Sequence, residues 1–317
     1  MSDMAPLERN ARKPSVINQG SLASRRPWDP LVEESARPSL QCLNRIRKEV
    51  AHFYAEPPAR VFITREQHDL TKIHALIVGS SGTPYEGGFF QFLIRFPADY
   101  PMNPPRMRLM TTDEGRVRFN VNLYANGKVC LSTLGTAPGP GWVPVDYLSN
   151  LLVSVQSMMD AEPYFYGCKT EEQPGDSGIY NQFIQHETIR VAVCDQVEAA
   201  LNGSARCPPA FREQILKTFL ELYNGYEEAA KAQQHLTGRV MRDTYTASRV
   251  AVFQYEELLM RLRRLKKEAE LRNRAVAAIA AAVAAASGQA SAQEHEVTDT
   301  AEANPKKPEE CSHLGDF

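Results

Sequence analysis

Apolar positions repeat with a helical period in the first part of the chain. Those that follow Ser39 are three or four residues apart and fall on one face of a helix: Leu40, Leu43, Ile46, Val50 and Phe53. Ser39 is a residue type that caps helix N-termini, and Pro57-Pro58 stops a helix. The pattern therefore predicts an amphipathic helix that begins at residue 40 and ends before Pro57.

Four short apolar runs follow, and their pattern is typical of strands. They cover residues 61–64, 73–79, 89–96 and 106–111. The third run alternates but carries apolar groups on both faces, so we expect one face to pack and the other to be at least partly covered. Turn residues such as Gly87-Gly88 separate the runs, and short links between strands favour an antiparallel meander.

Helical spacing returns after a long irregular stretch at residues 112–143, and a loop of that length is usually functional. The further helices are predicted from Pro144-Val145, over residues 179–194, from Phe211 and from about Phe253. The predicted fold class is α+β: an N-terminal helix, a four-stranded antiparallel sheet, the long loop, following helices and a C-terminal helical extension.

The same pattern divides the chain into four parts. Residues 1–38 hold five prolines and show no apolar period, so we expect them to be disordered. Residues 39–200 form the predicted core, and residues 201–274 form the helical extension. Residues 275–317 are rich in alanine and then polar and acidic, so we expect a low-complexity and mostly disordered tail.

Composition excludes several classes of function. The net charge of −2 over 317 residues provides no basic field for nucleic acid, so no nucleic-acid partner is expected. No stretch of 18 apolar residues and no apolar signal core occur, so we expect neither a membrane span nor secretion. The six cysteines are sparse and include no C-x-x-C pair. We therefore expect a reducing compartment and no structural metal site. No cofactor is expected.

Cys130 is the cysteine whose setting indicates chemistry. The others, Cys42, Cys168, Cys194, Cys207 and Cys311, are interpreted as inert buried or surface residues. Cys130 lies in a loop rich in Gly and Asn, next to the turn signal Asn126-Gly127, where a sulfur can face solvent. No His or carboxylate adjoins it in sequence, which favours covalent carriage over a cysteine hydrolase, although a base could come from elsewhere in the fold.

Four motifs, taken in order and spacing, resemble those of ubiquitin-conjugating enzymes. Residues 96–105 read FPADYPMNPP, like the family's F-P-x-x-Y-P-x-x-P-P signature, and residues 85–90 are similar to its Y-x-G-G-x-F hairpin. Asn122 precedes Cys130 by eight residues, as in the family's active-site segment, and Trp142-Val143-Pro144 resembles its Trp-x-Pro entry to a helix. The match covers residues 39–200, and details up to about residue 265 resemble a large member with extensions at both ends.

The resemblance implies a mechanism. Cys130 would accept the carboxyl terminus of ubiquitin, or of a tandem ubiquitin-like modifier, as a thioester from an activating enzyme, here the alternative one. A protein ligase would then help to transfer it to a substrate amine. The Asn122 side chain would donate to the oxyanion that forms. Two alternatives stay open: Asn122 is also typical of a loop-shaping residue, and the chain could be a catalytically weak binding or scaffold protein with this fold.

Two departures from the family pattern stand out. Asn120-Val121 replaces its His-Pro, so Asn120 is expected to brace the loop together with Asn126 and Gly127, while Val121 does not fix φ as Pro would. Phe165 stands where many members have an acidic or polar gate residue. We therefore expect weaker intrinsic discharge onto free lysine.

Partner surfaces follow from the same resemblance. Arg45, Arg47 and Lys48 are expected on the exposed side of the first helix, where family members meet the activating enzyme; a solvated charged face is the alternative. A second surface matches the loops that contact ligases: Met102, Pro144 and Val145. The basic run at residues 261–274 is interpreted as a solvated helix face. A signal for nuclear import is the more specific alternative. The expected location is cytoplasmic and nuclear.

Overall fold

The computed structural model describes residues 27–33, 36–167, 174–243, 245 and 251–299, with the backbone alone described for residues 166–167 and 283–299. The predictions for residues 1–26 and 300–317, and for Cys168, lie outside these ranges. The described residues divide into two compact units, with the boundary between Arg263 and Arg264. The first unit contains the sheet and most of the helices, and the second contains the C-terminal part of the last helix.

Helix α1 spans Leu40–Ala55, and its N-cap is Ser39, whose hydroxyl accepts a hydrogen bond from the Cys42 amide. The buried face carries Cys42, Ile46, Glu49, Val50 and Phe53. Leu40, which we expected on this face, is 71% exposed. It lies two residues before Cys42, which is about 200° around a helix, and therefore points away from the core.

The central sheet has four antiparallel strands in the order β1-β2-β3-β4, which confirms the predicted meander. Their bounds are β1 Val61–Arg65, β2 Lys72–Val78, β3 Phe89–Arg95 and β4 Arg106–Leu109. Every residue of β3 is buried. The apolar face of that strand packs into the core, while Gln91 and Arg95 on the other face bond to Gln196 and to the Val32 carbonyl oxygen.

Five more helices follow the loop: α2 Leu148–Ser157, α3 Asp176–Glu187, α4 Gln196–Leu201, α5 Pro209–Ala232 and α6 Tyr255–Asp299. A π-helical stretch, Thr188–Asp195, joins α3 to α4. Helix α2 begins four residues after the predicted start at Pro144. The reason is the buried carboxylate of Glu49, which accepts a hydrogen bond from the Leu148 amide at 2.8 Å and so defines the first turn.

The expected disorder of residues 1–38 does not extend to residues 27–33, which pack on the sheet. Asp29 is 4% exposed, and its carboxylate pairs with the Arg108 guanidinium of β4 at 2.5 Å. The same guanidinium lies 5.9 Å from the centre of the Trp28 ring. A partly buried ion pair and an aromatic ring thus anchor a stretch that has no apolar period of its own.

The small and C-terminal elements complete the fold. A second sheet pairs β5 Val240–Met241 with β6 Ala251–Val252. Helix α6 continues well past residue 274, into the stretch expected to be disordered, because alanine has the highest helix propensity. Among the described residues, none of the helices combines the length and the apolar character needed to cross a membrane.

Candidate active site

Two consecutive tight turns form the segment that carries the candidate nucleophile. In the first, the Leu123 amide donates to the Asn120 carbonyl oxygen at 3.1 Å, so Val121 and Asn122 are its central residues. In the second, the Gly127 amide donates to the Tyr124 carbonyl oxygen at 2.9 Å. The chain then returns alongside itself. We call residues 120–123 the catalytic turn.

Gly127 is required at the second turn. Its φ is +87°, a region that residues with a side chain rarely adopt. A Cβ atom here would lie 2.7 Å from the Leu109 carbonyl oxygen, because the Gly127 carbonyl accepts a hydrogen bond from the Leu109 amide at 2.9 Å. Asn126 contributes through its side-chain oxygen, which accepts from the Lys128 amide. Together these contacts attach the segment to the end of β4.

Cys130 lies beside the catalytic turn and is recessed. Its amide donates to the Asn122 carbonyl oxygen at 2.8 Å, and the residue is 9% exposed. We expected a sulfur facing solvent; the structure instead leaves only this small part of the residue open. Thr136 fixes the chain on both sides of Cys130, since its hydroxyl donates to the Val129 carbonyl and accepts from the Leu131 amide.

Asn120 braces the catalytic turn from the inside. It is fully buried, and its side-chain oxygen accepts a hydrogen bond from the Asn122 amide at 2.9 Å. Its side-chain nitrogen donates to the Met158 carbonyl at 2.8 Å and to the Tyr85 hydroxyl at 3.0 Å. The Tyr85 hydroxyl in turn donates to the Phe119 carbonyl at 2.6 Å. Burial raises the pKa of Tyr85 well above its ordinary value, so the hydroxyl keeps its proton.

Asn122 has its backbone fixed and its side chain available. The amide and the carbonyl oxygen are both hydrogen-bonded, to Asn120 and to Cys130. The residue is half-buried, and within the described part of the chain no hydrogen bond engages its side-chain amide. A half-buried neutral donor next to the candidate nucleophile is the type of group that stabilises an oxyanion.

Arg118 is a site residue that sequence analysis missed. Its Nε donates to the Asn120 carbonyl at 3.1 Å, and a terminal nitrogen donates to the Val121 carbonyl at 2.5 Å. The guanidinium carbon lies 4.1 Å from the centre of the Tyr124 ring. An Arg before a run of Asn residues gives no specific sequence signal, so only the fold reveals this contact.

The gate after α2 is aromatic. Pro163–Gly167 forms a short 3₁₀ helix in which Tyr164 is buried and Phe165 is 43% exposed. Tyr245, from the C-terminal extension, donates its hydroxyl to the Tyr164 carbonyl at 2.7 Å. The Asp160 carboxylate precedes this helix, and its charge contributes to the raised pKa of Tyr85. Among the gate residues whose side chains are described, the exposed one, Phe165, is apolar.

Comparison with known proteins decides the family. A family model described as ubiquitin-conjugating enzyme matches residues 45–187. The chain is 47% identical over 266 residues to ubiquitin-conjugating enzyme E2 Z of Homo sapiens, covering 82% of this chain and 73% of that protein. This chain belongs to the ubiquitin-conjugating enzyme family. It is thus a ubiquitin transferase of a family that acts through a cysteine thioester, together with activating enzymes and ligases.

Two other relatives extend the comparison. Ubiquitin-conjugating enzyme E2 Z of Xenopus tropicalis is 47% identical over 252 residues, which is 78% of this chain and 79% of the relative. The dual E2 ubiquitin-conjugating enzyme/E3 ubiquitin-protein ligase BIRC6 of Mus musculus is 37% identical over 222 residues, which is 64% of this chain and 4% of the relative. The similarity to the E2 Z proteins thus includes much of the chain outside residues 45–187.

The structure separates the three basic residues expected at the activating-enzyme surface. Arg47 and Lys48 are exposed. Arg45 is not free for a partner, which corrects the expectation: its guanidinium pairs with Glu49 at 2.6 Å and donates to the carbonyl oxygens of Pro144 and Asp146. Glu49 also accepts from the Tyr100 hydroxyl at 2.7 Å. Arg45 therefore joins α1 to the chain that enters α2.

The residues predicted to contact ligases are exposed. Met102 is 69% exposed and Val145 is 76% exposed, and Pro144 is exposed beside Val145. Large apolar side chains at this degree of exposure gain nothing from the core. They are available to an apolar partner surface.

The remaining cysteines and the basic run have structural surroundings. Cys42, Cys194 and Cys207 are fully buried, and burial raises the pKa of the Cys207 thiol to about 11. Cys311 lies outside the described residues. Arg261, which we expected on a solvated face, instead pairs with Asp195 and Glu198 on the preceding helical elements. Its packing satisfies a charge that the sequence pattern had assigned to solvent.

Proposed function

We propose that Cys130 carries the modifier. Its thiolate attacks the carbonyl carbon of the thioester delivered by the activating enzyme, and the donor cysteine leaves as a thiolate, so one thioester replaces another at little cost in free energy. An amine of the substrate then attacks the same carbon. The carbon–sulfur bond breaks, Cys130 leaves as a thiolate, and the amine loses a proton as the amide bond forms.

One observation carries the proposal: the Asn122 side-chain amide, which bonds to none of the described residues, lies on a braced turn whose backbone is bonded to that of Cys130. As the amine attacks, negative charge develops on the former carbonyl oxygen. A neutral amide donor held next to that oxygen needs little reorganisation. Loss of one such donor typically raises a barrier by about 2.7–4 kcal/mol.

Adduct formation tests the nucleophile. The full chain is mixed with activating enzyme, ATP and ubiquitin, and the products are separated without reducing agent. We expect an adduct of about one ubiquitin that thiols cleave, that Cys130→Ala lacks, and that resists thiols in Cys130→Ser. Cys207→Ala is the matched control, because Cys207 is buried and should leave the adduct unchanged. An adduct retained in Cys130→Ala would assign the nucleophile to another residue.

The alternative, a catalytically weak scaffold, has its own support in the recessed thiol and the apolar gate. The two proposals differ in the rate at which the charged protein discharges. We expect a normal adduct but slow discharge onto free lysine, because Phe165 cannot steer or deprotonate an amine. Phe165→Asp should accelerate this discharge. A wild-type rate equal to that of a relative with an acidic gate would contradict the reasoning, and no adduct at all would support the scaffold.

The partners are proposed at the level of surfaces. Exposed Arg47 and Lys48 fit an acidic surface of an activating enzyme, which we propose is the alternative one, and the modifier is ubiquitin or a tandem ubiquitin-like protein. Charging by the two activating enzymes side by side tests this. The Arg47→Glu and Lys48→Glu variants should charge more slowly, and the charging rate should fall with added salt. Equal charging by both enzymes would refute the selectivity.

We propose that Met102, Pro144 and Val145 form the ligase-docking surface, because two of these apolar side chains are largely exposed. Val145→Asp and Met102→Asp should weaken transfer that depends on a ligase. Charging by the activating enzyme should stay unchanged, since α1 and not this surface would contact that enzyme. A loss of charging in either variant would show that the two surfaces are not separate.

A further inference from the structure

The catalytic turn is held from the outside by Arg118. The fork of its guanidinium donates to two adjacent carbonyl oxygens, those of Asn120 and Val121, at 3.1 and 2.5 Å. Among the described residues, no carboxylate lies within ion-pair distance of this guanidinium. Its charge is therefore used on the backbone of the turn and on the aromatic rings beside it.

The turn needs this support because of Val121. The hydrogen bond from Leu123 to Asn120 makes Val121 the second residue of a four-residue turn, and neither Val121 nor Asn122 has a positive φ. Proline is favoured at the second position of such a turn, since its ring fixes φ near −65°. Valine leaves φ free to vary. The planar fork of Arg118 restricts the same two peptide units from outside the turn.

Arg118 is itself held by two aromatic rings. Its guanidinium carbon lies 4.1 Å from the centre of the Tyr124 ring and 5.3 Å from that of Tyr245. Tyr124 directly follows the catalytic turn, and Tyr245 comes from the C-terminal extension. The hydroxyl of Tyr245 donates to the Tyr164 carbonyl at the gate. An arginine placed against two rings loses much of its freedom to move.

We propose that Arg118 is a positioning residue for transfer from Cys130. It fixes the Asn120 and Val121 peptide units and so aims the Asn122 amide, and Tyr245 of the C-terminal extension holds Arg118 in place. This inference rests on the proposed role of Cys130 and Asn122. It assigns a function to the C-terminal extension: one of its residues completes the support of the catalytic turn.

The test separates charging from discharge. Arg118→Met and Arg118→Lys are charged with ubiquitin, and single-turnover discharge onto free lysine is followed over a range of lysine concentrations. We expect near-normal charging, because thioester exchange makes the weaker demand on the turn. The maximal discharge rate should fall about ten- to hundredfold in Arg118→Met, with less change in the lysine concentration for half-maximal rate. The maximal discharge rate should fall less in Arg118→Lys, since Lys can still donate to one carbonyl.

A second substitution distinguishes positioning from a general loss of stability. Val121→Pro should restore much of the lost rate in the Arg118→Met background, because Pro supplies the restriction on φ that the guanidinium no longer provides. The Val121 amide donates no hydrogen bond to another described residue, so Pro removes no backbone hydrogen bond. Arg206→Met is the matched control: this side chain is 77% exposed and pairs only with exposed Glu114 among the described residues, so discharge should be unchanged.

Tyr245 provides the second arm of the test. Tyr245→Leu removes the ring and should slow discharge in the same direction as Arg118→Met. Tyr245→Phe keeps the ring, loses the hydroxyl contact with Tyr164, and should slow discharge less. Equal rates in wild type and Tyr245→Leu would remove the extension from the proposal. Discharge by Arg118→Met within twofold of wild type, or no recovery with Val121→Pro, would overturn the positioning role itself.

Failure of the proposed function would look different. If Asn122→Ala discharged at the wild-type rate, or no Cys130 adduct formed, the chemistry proposed for this site would be wrong. Hydrogen exchange of the Leu123 amide then still tests Arg118, since that amide closes the turn. It should exchange faster in Arg118→Met and return towards the wild-type rate with Val121→Pro. Unchanged exchange in Arg118→Met would refute the support of the turn independently of any catalysis.

Discussion

Removing the Asn120 side chain should unlock the catalytic turn from the inside. Asn120→Ala deletes three hydrogen bonds, those to the Asn122 amide, the Met158 carbonyl and the Tyr85 hydroxyl. At about 1 kcal/mol for each bond, the free energy of unfolding should fall by about 3 kcal/mol. The true loss should not be smaller, because Asn120 is fully buried and water cannot easily replace the missing partner.

Urea unfolding measures this loss, and single-turnover discharge measures its effect on the site. We expect discharge to fall at least tenfold at temperatures where the variant is still folded, because the Asn122 backbone has lost its brace. Tyr85→Phe keeps the ring and removes one partner of Asn120, so it should cost less. The double variant should cost less than the sum of the single variants, since both remove the same contact.

Asn103→Ala is the matched control, because Asn103 is exposed and its side chain bonds to the neighbouring Asp99. Its free energy of unfolding should stay within about 0.5 kcal/mol of wild type. A loss below about 1 kcal/mol in Asn120→Ala, together with unchanged discharge, would refute the bracing argument. Additive losses in Asn120→Ala and Tyr85→Phe would show that the two side chains act separately.

Three further predictions test other parts of the framework. Gly127→Ala should lower the free energy of unfolding by about 1–3 kcal/mol and slow discharge, because φ is +87° and the added Cβ would meet the Leu109 carbonyl; an equal midpoint in urea would contradict this. Arg45→Ala should lower stability by about 1–3 kcal/mol while Arg47→Ala leaves it unchanged, since of these two arginines it is Arg45 that bonds to buried Glu49 and to two carbonyls; equal melting temperatures would contradict that assignment. Glu187 should contribute stability above pH 4.5 that is lost as the pH falls towards 2. Its hydrogen bonds with His186 and Arg190, together with the charge of Arg190, outweigh burial and lower its pKa from 4.5 to about 2; this amounts to about 3 kcal/mol, and stability curves of wild type and Glu187→Gln should converge in acid.

The sequence predicted the elements whose signal is local. The meander was predictable because each strand carries its own apolar run and Gly87-Gly88 marks a turn between them. Helix α1 was predictable from Ser39 and the apolar period. The segment that carries Asn122 and Cys130 was identified from the spacing of these two residues, which is itself a local feature.

What the sequence did not show depends on contacts between distant residues. The start of α2 is defined by Glu49, which lies 99 residues before Leu148, so Pro144 was the wrong start. Arg45 looked like a solvent-facing charge because its partners, apart from Glu49, are carbonyls about a hundred residues away. A charged residue is assigned to the surface when its partner cannot be recognised from the sequence. The same reasoning explains why Arg118 was missed.

The support of the catalytic turn is distributed over the fold. Proline would restrict the turn within a single residue, whereas here Asn120 acts from the core and Arg118 from outside it. Each depends on other elements: Asn120 on the Met158 carbonyl at the end of α2, and Arg118 on Tyr245 from the C-terminal extension. A side-chain contact can be loosened or tightened by its surroundings, but a proline ring cannot. Changes at the end of α2, at the gate or in the extension should therefore alter discharge from Cys130 without touching the residues that react, and this is a property that Val121→Pro should remove.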